Sequence, residues 1–212
     1  MKKIMAIVLA GVMLLSLGGC GTADFDAKGY VQAIMDAKFK REYADYAKVV
    51  GISEEEAKEE LESEFKQLLE TAMNESLTEL GITATEDEMA QYIQLEVDVR
   101  AKVQYTVKNA VKDGEGNYTV DVEIKPVAVS ETWKADLNAK LTVAIQNGAT
   151  KDQYMGIILE SFKTCVESAE AGEAVKFTFH VTGEESGKNM VYGVSEEEMK
   201  KVDLLATGQG TE

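Results

Sequence analysis

VQYTVKNAVKDGEGNYTVDVEIKPV, residues 103–127, is the stretch that decides the fold class. Apolar and polar residues alternate on both sides of DGEGN, residues 113–117, as they do in strands with one buried and one exposed face. A short glycine-containing loop between two such strands predicts a β-hairpin. Pro126 is the chain's one proline and lacks the backbone donor of a ladder, so it predicts an edge position or a strand end.

A second hairpin is predicted near the C-terminus, where residues 175–182 alternate in the same way and GEESG leads into a last strand at 188–194. Patterns typical of helices, with capping residues and closing glycines, occupy most of the remaining chain. We expect Ser130 and Thr150 to cap helices and the first strand to start at about Lys102. The expected helices span about 26–50 with a break near Lys40, 53–81, 85–100, 130–147, 150–171 and 195–205.

Helices and strands come in groups rather than in strict alternation. This favours an α+β fold, with an antiparallel β-sheet of about four strands in hairpins packed on one face by several α-helices. Residues 53–129 and 130–194 each contain helices followed by a hairpin, although the two SEEE motifs do not occupy equivalent places in them. We expect a single domain over residues 26–205 and a disordered tail at 206–212.

The N-terminus has the layout of an export signal. Lys2 and Lys3 precede the apolar run IMAIVLAGVMLLSL, residues 4–17. As a helix this run would rise only about 21 Å, against about 30 Å for a hydrocarbon core, so it is short for a permanent membrane span. We predict a signal peptide over residues 1–19.

LGGC, Leu17 to Cys20, follows the apolar run and resembles the lipobox of bacterial lipoproteins. The resemblance implies cleavage between Gly19 and Cys20 and a diacylglyceryl group, with chains such as palmitate, on the Cys20 sulfur. An ordinary secretory signal with a coincidental cysteine is the alternative. Two acyl chains anchor a protein stably. Residues 20–25 would form a tether of at most about 20 Å, which holds the domain close to the extracytoplasmic face of the cell membrane.

The composition argues against one class of partner. The chain carries 38 acidic against 22 basic side chains, a formal charge of −16. The predicted mature part has 193 residues and a charge of about −18, because cleavage removes Lys2 and Lys3. Such a surface repels phosphate backbones, so we expect no nucleic-acid partner. The hydrophobic content of 45% is enough for a folded core.

Cys165 is the one other cysteine and has no pairing partner once Cys20 carries lipid. It shares a predicted helical face with Ile158 and Phe162, which favours a buried core residue. The alternative, a reactive thiol, would need basic neighbours, and only Lys163 is close in sequence.

Asp113, Glu115 and Asn117 have the first side-chain spacings of a calcium-binding loop. An EF-hand loop would then need glycine and a bidentate acid where Tyr118 and Ile124 stand, so the match fails. A polar hairpin turn is the expectation.

His180 is the only histidine and falls on the polar side of a predicted strand. A zinc site would need several carboxylates around it, and a catalytic triad would need a nucleophile motif that the chain lacks. The 38 acidic residues could form many carboxylate pairs of the kind that glycosidases use, but the sequence singles out no pair. We expect a solvated strand residue, no catalytic residue and no metal site.

Aromatic residues are concentrated in the first predicted helix, with Tyr30, Phe39, Tyr43 and Tyr46, and Trp133 begins a later one. A carbohydrate-binding surface could use such rings. Packing in the core beneath the sheet is the interpretation that we favour.

Two longer phrases, residues 25–60 (FDAKGYVQAIMDAKFKREYADYAKVVGISEEEAKEE) and residues 103–127, are similar to small lipoproteins of clostridia and their relatives. The resemblance implies a Gram-positive host and an α+β domain without an assigned activity, and it transfers no functional residues.

These observations favour a lipid-anchored, non-enzymatic envelope protein without a cofactor, which binds an unknown protein, peptide or envelope component. The alternative is the substrate-binding lipoprotein of a transport system. The chain is short for a two-lobed receptor, however, and shows no βαβ alternation. An envelope hydrolase, the third class, would have to use His180 or an unmarked carboxylate.

Overall fold

The computed structural model describes residues 25–186 and 189–208. Predictions that concern residues 1–24 and 209–212, including Gly19 and Cys20, lie outside these residues. The elements in chain order are α1 (Ala27–Met35), a π-helix (Asp36–Lys40), α2 (Ala44–Val50), α3 (Glu54–Leu80), α4 (Glu86–Ala101), β1 (Gln104–Lys112), β2 (Tyr118–Lys125), α5 (Ser130–Gln146), a 3₁₀ turn (Lys151–Gln153), α6 (Tyr154–Ser168), β3 (Val175–Ser186), β4 (Asn189–Val194) and α7 (Glu196–Ala206).

The four strands form one antiparallel sheet in the order β1-β2-β3-β4. The side chains of β2 alternate between buried and solvent-facing positions, and the buried ones pack with the helices in one core. The α+β prediction is therefore confirmed, including the two hairpins. Pro126 directly follows β2, an inner strand, so it marks a strand end. β3 is longer than predicted because GEES, residues 183–186, continues the ladder with β4.

The capping signals predicted the helix starts well. Asp26 accepts a hydrogen bond from the Gly29 N–H at 2.8 Å and begins α1. Capping boxes at Ser53 and Thr85 begin α3 and α4, as expected. The predicted break near Lys40 is present, because the π-helix ends there and separates α1 from α2.

Three predicted boundaries were wrong by a few residues. Ser130 is the first residue of α5 rather than its cap, a position held by Val129. Helix α6 ends at Ser168, not near residue 171, since Ala169 has an extended backbone; the Lys102 ammonium donates to carbonyls at this end, including that of Val166 at 2.5 Å. Ala206, expected in the tail, belongs to α7, is buried, and accepts a hydrogen bond from the Val127 N–H.

Two helices followed by a hairpin occur twice, as α3-α4-β1-β2 and α5-α6-β3-β4. The two halves meet where β2 pairs with β3 and where α4 packs on α6. Within the described ranges, no helix combines the length and the hydrophobicity that crossing a bilayer would require.

Candidate functional site

A cavity of about 110 Å³ lies between the N-terminal segment and helices α3, α4 and α7. A water takes about 30 Å³ in the liquid, so the space would hold on the order of four waters or one small organic group. We call it the aromatic cavity because ring side chains form much of its wall: Tyr30, Phe39, Tyr43, Tyr46 and Phe65. Leu68, exposed to 53%, and the half-buried Glu64 mark its solvent side on α3.

The backbone that forms one wall of the cavity departs from regular helix. The π-helix Asp36–Lys40 ends at Arg41, which has a φ of 58° and is left-handed. A non-glycine residue in this conformation costs about 1 to 3 kcal/mol, and such strain and π-turns are frequent at functional sites. Here they turn the chain between α1 and α2, so that Phe39 and Tyr43 face the same space.

The cavity's tyrosines keep their protons at neutral pH. Burial, with a contribution from Tyr46, raises the pKa of Tyr30 to about 12. Burial and the nearby carboxylates of Glu60 and Glu64 raise the pKa of Tyr46 to about 12. The pKa of Tyr43 is also raised to about 12, mainly by burial, and its hydroxyl donates to Glu62 at 3.2 Å. The wall thus offers ring faces and neutral hydroxyls.

A cluster of paired charges closes the inner end of the cavity. The Arg100 guanidinium lies 2.5 Å from the Glu96 carboxylate and 3.3 Å from that of Asp203, which also pairs with Lys38 at 3.3 Å. Tyr92 donates its hydroxyl hydrogen to Glu96 at 3.0 Å. Two cations and two carboxylates balance each other in this buried cluster.

Arg41, the third cation of the cavity wall, is also engaged. Its guanidinium lies 2.9 Å from Glu62. Burial alone would raise the pKa of Glu62, but Arg41 and the Tyr43 hydroxyl outweigh it and hold that pKa below its ordinary value. Every cation that lines the aromatic cavity therefore has a carboxylate partner.

Glu64 differs from the other charged groups of the wall. Within the described part of the chain it makes no hydrogen bond or ion pair, and Glu60 lies one helical turn before it on α3. Burial, followed by repulsion from Glu60, raises the pKa of the Glu64 carboxyl. The cavity therefore combines compensated cations with one uncompensated carboxylate.

The residues predicted as candidate sites lie elsewhere. Asp113 accepts hydrogen bonds from the Glu115 and Asn117 N–H groups at 2.8 and 2.9 Å, which confirms a polar hairpin turn. His180 is exposed and its Nδ1 lies 2.8 Å from Glu198. Cys165 is buried as predicted, and burial raises the pKa of its thiol.

The aromatic residues show more than the sequence predicted. Tyr30, Phe39, Tyr43 and Tyr46 are buried, which confirms core packing, yet all four line the cavity. Trp133 instead packs against a ring of α6. Over residues 25–186 and 189–208, no three or more His, Cys, Asp or Glu side chains gather as a metal site would require.

Glu96 and Arg100 are the site residues that sequence reasoning missed. They fall in the helix predicted over residues 85–100, where apolar and polar residues alternate strictly and no buried helix face stands out. Helix α4 continues through Ala101, and helical spacing places Tyr92, Glu96 and Arg100 on one buried face. The sequence did contain a signal for this pairing, because a tyrosine, an acid and a base follow each other at intervals of four residues, the spacing at which helical side chains meet.

The fold and its cavity define an antiparallel sheet domain, covered by helices and hollow at one end. In structure the chain is similar to ycdA of Bacillus subtilis, a candidate lipoprotein, with a TM-score of 0.57 and 15% sequence identity. The match covers 86% of this chain and 56% of ycdA, so the chain spans little more than half of that protein's length. This likeness shows a shared fold. Comparisons with models of protein families and with curated proteins find no match.

Proposed function

We propose that this protein is a lipid-anchored, non-enzymatic binding module of the cell envelope, held by Cys20 at the extracytoplasmic face of the membrane. The aromatic cavity is its binding site and takes a small molecule or a small group of a larger envelope component. The cavity itself is the observation that carries the binding role, because concave sites with apolar walls and a few polar groups are where proteins hold small ligands.

The composition of the wall supports binding rather than catalysis. Glu64 is the one carboxylate among the described lining residues, and no serine, threonine, cysteine or histidine lines the cavity with it as a nucleophile or as a partner in proton transfer. The tyrosines retain their protons at neutral pH, and the three cations are held by carboxylates. These groups can orient a ligand without transferring an atom.

A screen of thermal unfolding tests the binding role. The panel holds small neutral, cationic and anionic compounds, each with an apolar body. A ligand at a hundred times its Kd stabilises the folded state by about 2.7 kcal/mol, which raises Tm measurably. Leu68→Trp places a large ring at the cavity edge and should remove the shift, whereas Leu80→Trp, on the equally exposed far end of α3, should keep it. A panel without a single stabilising compound would contradict the proposal.

The anchor is tested by the cell fraction and the mass of the mature protein. Cys20→Ala should move the protein out of the membrane fraction, and Cys165→Ala should leave it there. The wild-type protein should begin at a Cys20 that carries the mass of a diacylglyceryl group. An unmodified N-terminus, or cleavage at another residue, would refute the anchor.

The transport receptor is the second candidate, and the same cavity favours it. The described residues form one four-stranded sheet with helices packed against it and lack the two lobes of the usual receptor. Deletion of the gene should leave uptake of a ligand identified by the screen unchanged. Loss of uptake would favour the receptor.

A further inference from the structure

We infer that the aromatic cavity selects a small organic cation of the alkylammonium class and that Glu64 recognises its positive charge. The inference rests on the proposed binding function and adds the ligand class.

The first argument is the charge balance of the wall. Lys38 and Arg100 share the carboxylates of Glu96 and Asp203, and Arg41 holds Glu62. An anionic ligand would compete with these partners for the same donors. A bound cation would meet Glu64, which has no partner among the described residues, with Glu60 adding negative charge nearby.

The second argument is the set of groups around the Glu64 carboxyl. Its raised pKa means that the surroundings disfavour the ionised carboxylate, through burial first and Glu60 second. An ammonium group beside this carboxylate favours its ionised form, and a neutral ligand does not. The carboxylate therefore supplies selectivity as well as affinity.

The third argument is the aromatic wall. The negative faces of aromatic rings attract cations within about 6 Å. Phe65 already shows this, with the Arg100 guanidinium 4.8 Å and that of Arg41 5.8 Å from its ring centre. Tyr43 and Tyr46 also line the cavity, and among the described residues no lysine or arginine lies over either ring.

Size and overall charge agree with this ligand class. A cavity of about 110 Å³ that opens to solvent beside Leu68 has room for a small alkylammonium group, and the rest of a larger ligand can extend into solvent. The formal charge of −16 also raises the local concentration of small cations around the protein.

Calorimetric titration of the full chain in detergent micelles tests the inference with three probes of one shape. These are choline, the neutral alcohol in which carbon replaces its nitrogen, and the tert-butylacetate anion. Choline should bind about tenfold more tightly than the alcohol, and the anion should bind most weakly. Glu64→Gln should weaken choline binding about three- to tenfold and leave the alcohol unchanged. Glu75→Gln, an exposed site on the same helix, should match the wild type.

The pH dependence separates recognition from damage to the fold. Choline affinity of the wild type should fall as Glu64 takes up a proton in acid, and this fall should be absent in Glu64→Gln. The variant should be at least as stable as the wild type at neutral pH, because a neutral side chain relieves the disfavoured charge.

Three results would overturn the inference. The cation preference is wrong if choline and the alcohol bind equally and Leu68→Trp blocks both. It is also wrong if the anion binds best, and in both cases the binding function stands. If none of the three probes binds and the wider panel also fails, the proposed function falls with it.

Discussion

The core of this protein has two ends of opposite character. At the sheet, the side chains of Val120, Val122, Ile124, Phe179 and Val181 are fully buried, and all are apolar. We call this set the sheet core. At the other end, the core contains the aromatic cavity and the buried ion cluster.

The difference shows how one small domain separates stability from recognition. Apolar side chains in the sheet core need only fill space, and they stabilise the fold by their burial. Charged side chains in the core need partners of matching charge and geometry, and here these partners lie on the π-helix, α4 and α7. The hollow, charged and strained end is therefore where we place binding.

The largest effect is expected from Arg100→Met. The change leaves Glu96 with only the Tyr92 hydroxyl and Asp203 with only Lys38, and a buried charge without its partner costs about 3 to 5 kcal/mol. Urea unfolding measures the loss. Lys108→Met, at an exposed pair, should cost far less. If both substitutions lower the free energy of unfolding equally, the buried cluster contributes no more than an exposed ion pair, and it does not set this end of the core apart.

Ile124→Ala should cost about 2 to 5 kcal/mol, because Ile124 is fully buried in the sheet core and its truncation leaves a cavity there. The folded variant should bind cavity ligands with wild-type affinity. Calorimetry below the unfolding transition measures that affinity. A changed affinity would mean that the two ends of the core are coupled. Stability and recognition would then not be separated in this domain.

Acid should weaken the cavity end selectively. Burial alone would raise the pKa of Asp203, but Lys38 and Arg100 outweigh it and hold that pKa below its ordinary value of about 3.9. Ionised Asp203 therefore stabilises the fold above that value, and this contribution is lost as the pH falls through the lowered pKa. As the pH is lowered, the urea concentration at the midpoint of unfolding should fall less steeply for Asp203→Asn than for the wild type.

The sheet core is the control for this pH effect. Its side chains do not titrate, so Ile124→Ala should keep the wild-type slope despite its lower stability. A flattened slope in Ile124→Ala would contradict the assignment of acid sensitivity to the cluster.

The smallest effect is expected from Lys176→Ala on the outer face of the sheet. Lys176 pairs with Asp121 at 2.8 Å but is largely exposed, so the loss should be at most about 1 kcal/mol and should shrink further in salt. Unfolding at low and high ionic strength checks this. A loss as large as that of Arg100→Met would remove the distinction between exposed and buried pairs.

The sequence predicted those elements whose signals lie in neighbouring residues. The turn at 113–117 and the capping boxes at Ser53 and Thr85 identified elements because each signal is local. The change from helix to strand near Lys102 was also predicted within about two residues. Glu96 was correctly predicted to lie in a helix, but its burial was not predicted, because the alternation of apolar and polar residues around it does not show which helix face is buried.

The cavity could not be predicted in the same way. Tyr30, Phe39 and Tyr46 were recognised as aromatic core residues, which they are. Their meeting with Glu64 and Arg100 depends on how the N-terminal segment packs against α3, α4 and α7, and no pairwise spacing along the chain encodes the space left between them.

The sequence by itself determined the strands, the helix starts, the α+β class and the acidic surface. It also carries the lipobox at Cys20, from which the anchor is proposed. These features follow from neighbouring residues, whose periodicity, capping groups and charge act over a few positions. Only the tertiary structure decided which side chains enclose the aromatic cavity, which cations are already paired, and that Glu64 has no partner among the described residues. Burial and pairing depend on contacts between distant segments, and those contacts exist only once the chain has folded.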